Sequence, residues 1–221
     1  MPSILPHITF DTAAKPAHSI IWLHGLGADG ADFLPVADEM TLPCAGRYIF
    51  PHAPLQAVTI NGGHVMRSWY DIVASDIGSR QDAMGVRTSQ AEIEKLIAQE
   101  RARGVLPGNI YLAGFSQGGA IALHSGLRHH ETLGGILALS TYLPLADTLA
   151  AEAHTANRDT PVFMAHGSSD PVVPYTLGLS SRTTLSQLGY PVEWHEYAMQ
   201  HSVCPQELRD IETWLTQHLR P

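Results

Sequence analysis

Short apolar runs and longer stretches of helical spacing take turns along this chain. Ser19–Leu23 and Arg47–Phe50 read as strands, with a helical pattern from about Ala31 to Met40 between them. A second helix is expected from about Ser89, where Ser89 and Glu92 have capping-box spacing and Ile93, Leu96 and Ile97 share one face. Pro107-Gly108 then opens a short apolar strand, Asn109–Ala113, and Ala120–Leu123 is rich in helix formers. Gly134–Ser140, Val162–His166 and Val192–Tyr197 read as further strands. A last helix runs from about Pro205, with Leu208, Ile211, Leu215 and Leu219 on one face. This alternation predicts an α/β fold: a mostly parallel central sheet with helices on both faces. The stretch from Leu55 to about Gln81 fits no strong period and is long for a connection. It reads equally well as a short hairpin packed on the core or as a lid.

The chain has 221 residues, 44% of them hydrophobic and 15% charged, which suits one compact domain spanning 1–221. No repeat, low-complexity tract or linker divides it. A formal charge of −8 offers no basic surface to nucleic acid or anionic lipid. The 13 histidines leave the charge below neutral pH open. Cys44 and Cys204 are too few for a disulfide framework and are not spaced for zinc or redox use. Two reduced thiols are expected, with a single disulfide as the alternative. The segment Met1–His7 lacks a basic region and a long apolar core, and no apolar run is long enough to span a membrane. A cytoplasmic protein is the default expectation.

The chemistry concentrates at Gly114-Phe115-Ser116-Gln117-Gly118-Gly119, a G-x-S-x-G pattern between a strand and a helix. A serine there must sit on a sharp turn that lifts its hydroxyl from the backbone, and the flanking glycines make the turn sterically feasible. An acid and a base follow in one order. Asp170 lies in the loop after Val162–His166, and His201 lies in the loop after Val192–Tyr197. Serine, acid, histidine is the chain order of the α/β-hydrolase arrangement, and an open parallel sheet places its ligand crevice beyond the strand ends. Asp147, Asp159, Glu193 and Glu196 compete as the acid, but only Asp170 follows a strand's end directly. The amides of Gln117 and of Leu26, in the turn His24-Gly25-Leu26-Gly27, are the expected oxyanion donors, against the plainer reading of His24-Gly25 as a tight turn. No metal site is expected: His129 and His130 are adjacent and cannot share a helix face, and no H-E-x-x-H occurs. No cofactor is expected either.

These segments resemble the phospholipase/carboxylesterase family of α/β hydrolases, which includes acyl-protein thioesterases and small bacterial carboxylesterases. The similarity extends over Leu23–Gly27, Phe50–Pro54, Ser68–Asp71, Gly114–Gly119, His166–Asp170 and His201–Pro205. The resemblance implies the α/β-hydrolase fold, a Ser116-Asp170-His201 triad, an oxyanion hole from Leu26 and Gln117, and activity on short to medium acyl esters and thioesters. Gln200 stands where many relatives carry glycine, which puts the local backbone in question.

The expected function is that of a serine carboxylesterase. The alternatives are an acyl-protein or acyl-CoA thioesterase or lysophospholipase, and, from another class, a non-catalytic binding protein. With no large cap domain, a shallow acyl groove is expected, walled by Trp69, Tyr70, Ile72, Val73, Val172, Val173 and Met199. The partners expected are a small ester or thioester, with an acylated protein as a further candidate, for a monomer or homodimer.

Overall fold

The computed structural model describes residues 4–74 and 80–219. A seven-stranded sheet forms its centre, built from β1 (His7–Asp11), β2 (His18–Leu23), β3 (Gly46–Pro51), β6 (Ile110–Phe115), β7 (Gly135–Leu139), β8 (Val162–Gly167) and β9 (Val192–Tyr197), in spatial order β1-β3-β2-β6-β7-β8-β9. All pairs are parallel except β1 with β3. Every residue of β2 is buried, as expected of a strand covered on both faces. Its side chains divide by the period of two: Ile21 and Leu23 enter one core, Ile20 and Trp22 the other.

The first core packs α2 (Ala83–Ala102) and α3 (Gln117–Arg128) against the sheet through Ile93, Leu96, Ile97, Ile121 and Leu127. The second packs α1 (Leu34–Glu39) and α6 (Pro205–His218) through Ala37, Ile211, Trp214 and Leu215. Helices therefore cover both faces, and the α/β architecture read from the alternation holds. No described helix is long and apolar enough to cross a membrane. Cys44 and Cys204 are both free thiols.

Several boundaries differ from the sequence reading. The second helix starts at Ala83, with Asp82 as its cap accepting from the Gly85 amide at 2.9 Å. Ser89 therefore lies inside the helix and donates to the Trp69 carbonyl instead of forming a capping box. The irregular segment contains a separate antiparallel hairpin, β4 (Leu55–Val58) and β5 (His64–Arg67); residues 75–79 lie outside the described residues. Strand β1 and two helices, α4 (Ala146–Glu152) and α5 (Tyr175–Gln187), had no clear periodic signal. β1 earns its place through the Asp11–Arg47 ion pair at 2.9 Å and pairing with β3, neither of which a local pattern reveals. In α5 only Gly178, Ser181 and Leu185 are buried, too sparse a stripe to read as amphipathic.

Candidate active site

Ser116 occupies the turn between β6 and α3 with φ 54° and ψ −120°, a conformation that non-glycine residues rarely adopt. The surroundings hold it there. Its amide donates to the Leu139 carbonyl at 2.8 Å, and its carbonyl accepts from Thr141 Oγ1 at 2.6 Å. The glycines are needed for close approach, not for positive φ: a Cβ on Gly118 would run into the Leu23 and His24 carbonyl oxygens. A side chain there would push the elbow away from the loop after β2.

Asp170 lies three residues beyond β8 and His201 four beyond β9, so the C-terminal strand edge brings both to Ser116. His201 Nε2 is 2.9 Å from Ser116 Oγ, and His201 Nδ1 is 2.7 Å from Asp170 Oδ2. The Phe115 ring packs on the imidazole, centroids 4.7 Å apart. The Asp170 side chain is sealed from solvent, and its Oδ1 accepts the amides of Val172 at 2.8 Å and Val173 at 2.9 Å. These bonds fix the orientation of the side chain, with Oδ2 facing the imidazole. With a carboxyl oxygen as its partner Nδ1 is the donor, and the other ring nitrogen, Nε2, faces the serine hydroxyl.

The competing acids go elsewhere. Glu193 bonds His195 at 2.7 Å, Glu196 accepts from Tyr175 at 2.5 Å, and Asp147 and Asp159 are exposed. Gln117 follows Ser116 directly at the start of α3, and Leu26 lies in the loop three residues beyond the end of β2; neither amide donates to a described backbone acceptor. Gln200 has no positive φ, so its backbone does not call for glycine.

The groove residues divide. Trp69 is 1% exposed, Tyr70 2% and Val173 3%, all within the core. The Trp69 indole donates to the His24 carbonyl at 2.9 Å, and the Tyr70 and Tyr142 hydroxyls are 2.7 Å apart. These three are core side chains with little surface of their own to offer a ligand. Ile72, Val73 and Met199 are half-buried and Val172 is 53% exposed, so these can meet a ligand. Trp69→Ala accordingly removes a core side chain, and its expected effect is a loss of about 3–5 kcal/mol of stability in a denaturant melt.

The reading of His129 and His130 also changes. Both stand beyond the end of α3, where helix-face geometry no longer separates them, and Glu94 joins them with ligand atoms all within 4.8 Å. Glu94 Oε2 is already 2.8 Å from His129 Nδ1. Ser116 is at the opposite end of α3, whose 12 residues rise about 18 Å. Exhaustive chelation is therefore expected to leave hydrolysis unchanged; activity lost to a chelator and restored by zinc would contradict a metal-free reaction.

Other titratable groups were not legible as special. His166 is buried behind Asp170, its Nε2 2.9 Å from the Val173 carbonyl and 3.5 Å from Asp170 Oδ2. Burial holds it, with His18, His24 and His124, below the ordinary histidine range, so these four stay neutral near pH 7. Glu207, in the first turn of α6 just beyond the His201 loop, is fully buried, and among the described residues neither carboxylate oxygen has a hydrogen-bond partner of good geometry. Burial pushes it from 4.5 up to about 8; the Cys204 backbone opposes the shift and the Asp210 carboxylate adds to it. The native state then keeps a proton that the unfolded chain releases, so Glu207 lowers stability progressively from pH 4.5 to 8. The melting temperature of Glu207→Gln relative to wild type should rise across that interval; a pH-independent difference would show that Glu207 is already ionised at neutral pH.

The sheet order, the strand-edge loops and the elbow define an α/β hydrolase. Residues 8–219 match the model of the phospholipase/carboxylesterase family. An acyl-protein thioesterase 1 of Yarrowia lipolytica is 38% identical over 97% of this chain and 99% of its own length. A probable carboxylesterase of Oryza sativa is 35% identical over 94% of this chain and 80% of its own. The crystal structure of Arabidopsis thaliana SOBER1 superposes with a TM-score of 0.87 at 33% identity, covering 92% of this chain and 99% of that one. The chain belongs to the phospholipase/carboxylesterase family and is a hydrolase acting on ester bonds.

Proposed function

We propose that the protein hydrolyses short- to medium-chain carboxylic esters through a Ser116-His201-Asp170 triad and an acyl-enzyme intermediate. The observation that carries this reading is the continuous chain of contacts, Ser116 Oγ to His201 Nε2 at 2.9 Å and His201 Nδ1 to Asp170 Oδ2 at 2.7 Å. His201 takes the serine proton as Oγ attacks the acyl carbon, and Asp170 stabilises the imidazolium that results. The developing oxyanion lies toward the Leu26 and Gln117 amides. The tetrahedral intermediate collapses as His201 returns its proton to the leaving oxygen, and water repeats the cycle to release the acid. Each atom transferred is accounted for by these residues and water.

Thioesters are the second reading, favoured by the name acyl-protein thioesterase 1 carried by several relatives. The same three side chains serve both, because only the leaving atom changes. Matched p-nitrophenyl esters and acyl thioesters of two to sixteen carbons test both proposals. Each methylene meeting the exposed Val172 side and the half-buried Ile72, Val73 and Met199 contributes up to ~0.8 kcal/mol. The expected profile climbs through short chains and levels at medium length, with esters at least as fast as thioesters. Selectivity that keeps climbing to sixteen carbons, or a strong thioester preference, would move the assignment to long-chain acyl-protein thioesterase.

A further inference from the structure

We propose that the Gln117 side chain and the Trp69 indole are positioning residues that tie the two oxyanion donors into one rigid unit. The proposal rests on the serine-hydrolase reading above and adds roles for two side chains that the reading itself does not use. The two donor amides come from separate segments. Gln117 opens α3, whereas Leu26 sits in the loop that leaves β2; their strands pair only as far as Leu23 with Gly114. Beyond that point some other connection must keep the amides at a fixed separation, because preorganised donors are what stabilise a developing oxyanion.

The connection is built from buried hydrogen bonds. Gln117 is 3% exposed, although its side chain is a carboxamide at the start of a helix. Its Oε1 accepts the Trp69 amide at 2.8 Å, and its Nε2 donates to the Tyr70 carbonyl at 2.7 Å and to Ser68 Oγ at 3.1 Å. The same residue therefore presents its backbone amide to the site while its side chain grips residues 68–70. Trp69 passes the constraint on, since its indole donates to the His24 carbonyl at 2.9 Å, two residues before Leu26.

His24 has only one protonation state compatible with its neighbours. The Ala53 amide donates to His24 Nε2 at 3.1 Å, so Nε2 must be bare and the proton lies on Nδ1, 2.7 Å from the Gly25 carbonyl. The loop's far side is fixed by the Gly27 amide, which donates to the Arg67 carbonyl at 2.9 Å. Leu26 is thus held from both sides: one link from its loop back to Gln117 runs through the Trp69 indole, the other through Arg67 and its neighbour Ser68. A purely apolar side chain of similar length at 117 would fill the space but would leave the Trp69 amide buried and unpaired and the Tyr70 carbonyl with the Ser68 hydroxyl as its remaining donor.

Gln117→Met, Trp69→Phe and the double variant test the tie. Steady-state kinetics on a p-nitrophenyl ester are compared with inhibition by an alkylboronic acid, whose tetrahedral serine adduct places an oxygen where the oxyanion forms. Each single change should lower kcat about 10-fold or more with KM within about threefold, since a displaced donor costs less than the 10²–10³ of a deleted one. Boronate affinity should fall in parallel. The double variant should lose little more than Gln117→Met alone, because the indole link that Trp69→Phe cuts already depends on the Gln117 side chain. If Gln117→Met does not fold, Gln117→Glu keeps the acceptor for Trp69 but loses the donor to Tyr70, and replaces it in the cycle. Losses that multiply, or unchanged kcat and boronate affinity per folded molecule, would overturn the proposal and leave both residues as core. A wild type that neither binds boronate nor reacts with a fluorophosphonate would instead overturn the serine-hydrolase reading itself.

Discussion

Ser116→Ala is expected to lower turnover of a p-nitrophenyl ester by at least ~10³-fold without changing the fold, as deletions in serine triads do. The hydroxyl is the only group removed. The turn is anchored by backbone atoms of Ser116, to Leu139 and Thr141, and these bonds survive the change. Alanine inherits the same positive φ, 54°, as the serine, so no new strain enters. A melting temperature near that of wild type, with circular dichroism unchanged, would separate lost chemistry from lost structure. Wild-type turnover in a folded variant would falsify the choice of nucleophile.

Asp170→Asn is the second large effect, a loss of about 10³–10⁴-fold. Its cause is tautomeric. Asparagine can keep its Oδ1 toward the amides of Val172 and Val173, which accept no alternative because both are donors. Its amide nitrogen then replaces Oδ2 and faces His201 Nδ1, 2.7 Å away. A donor there forces Nδ1 to become the acceptor, which places the ring proton on Nε2, against Ser116. The base is then present but cannot take the serine proton. Stopped-flow acylation of Asp170→Asn reads this directly. Mild loss there, with severe loss in Glu193→Gln or Glu196→Gln, would reassign the acid.

Both predictions use residues that local sequence could point to. Ser116 was legible because the glycines at 114 and 118 bracket a strand-to-helix switch, Asp170 because it follows a buried apolar strand, and His201 because it follows the half-exposed strand β9 at the sheet's edge. Those signals lie within a few residues of the chemistry. The sheet was legible for the same reason: a strand covered on both faces, such as β2, is an apolar run whatever it packs against.

What escaped was decided at long range. Trp69 and Tyr70 look like ligand-facing aromatics in an irregular segment. Only the contacts to His24 and Tyr142, tens of residues away, turn them into interior residues. Ser89 and Glu92 have the spacing of a capping box, but Asp82 starts the helix a full two turns earlier. Glu207 reads as an ordinary acid in the first turn of an amphipathic helix, where the helix dipole would favour its charge. Packing of α6 against the sheet removes its solvent and reverses that expectation. Gln117 carries no local sign that its side chain, as well as its amide, matters.

The central claim is that Ser116 is the nucleophile of a covalent mechanism, and intact-mass spectrometry after treatment with a fluorophosphonate tests it most directly. The expected result is one adduct per chain, mapped by peptide digestion to Ser116, with hydrolysis abolished in proportion to labelling and no adduct on Ser116→Ala. An adduct on another residue, or full hydrolytic activity in fully labelled protein, would contradict it.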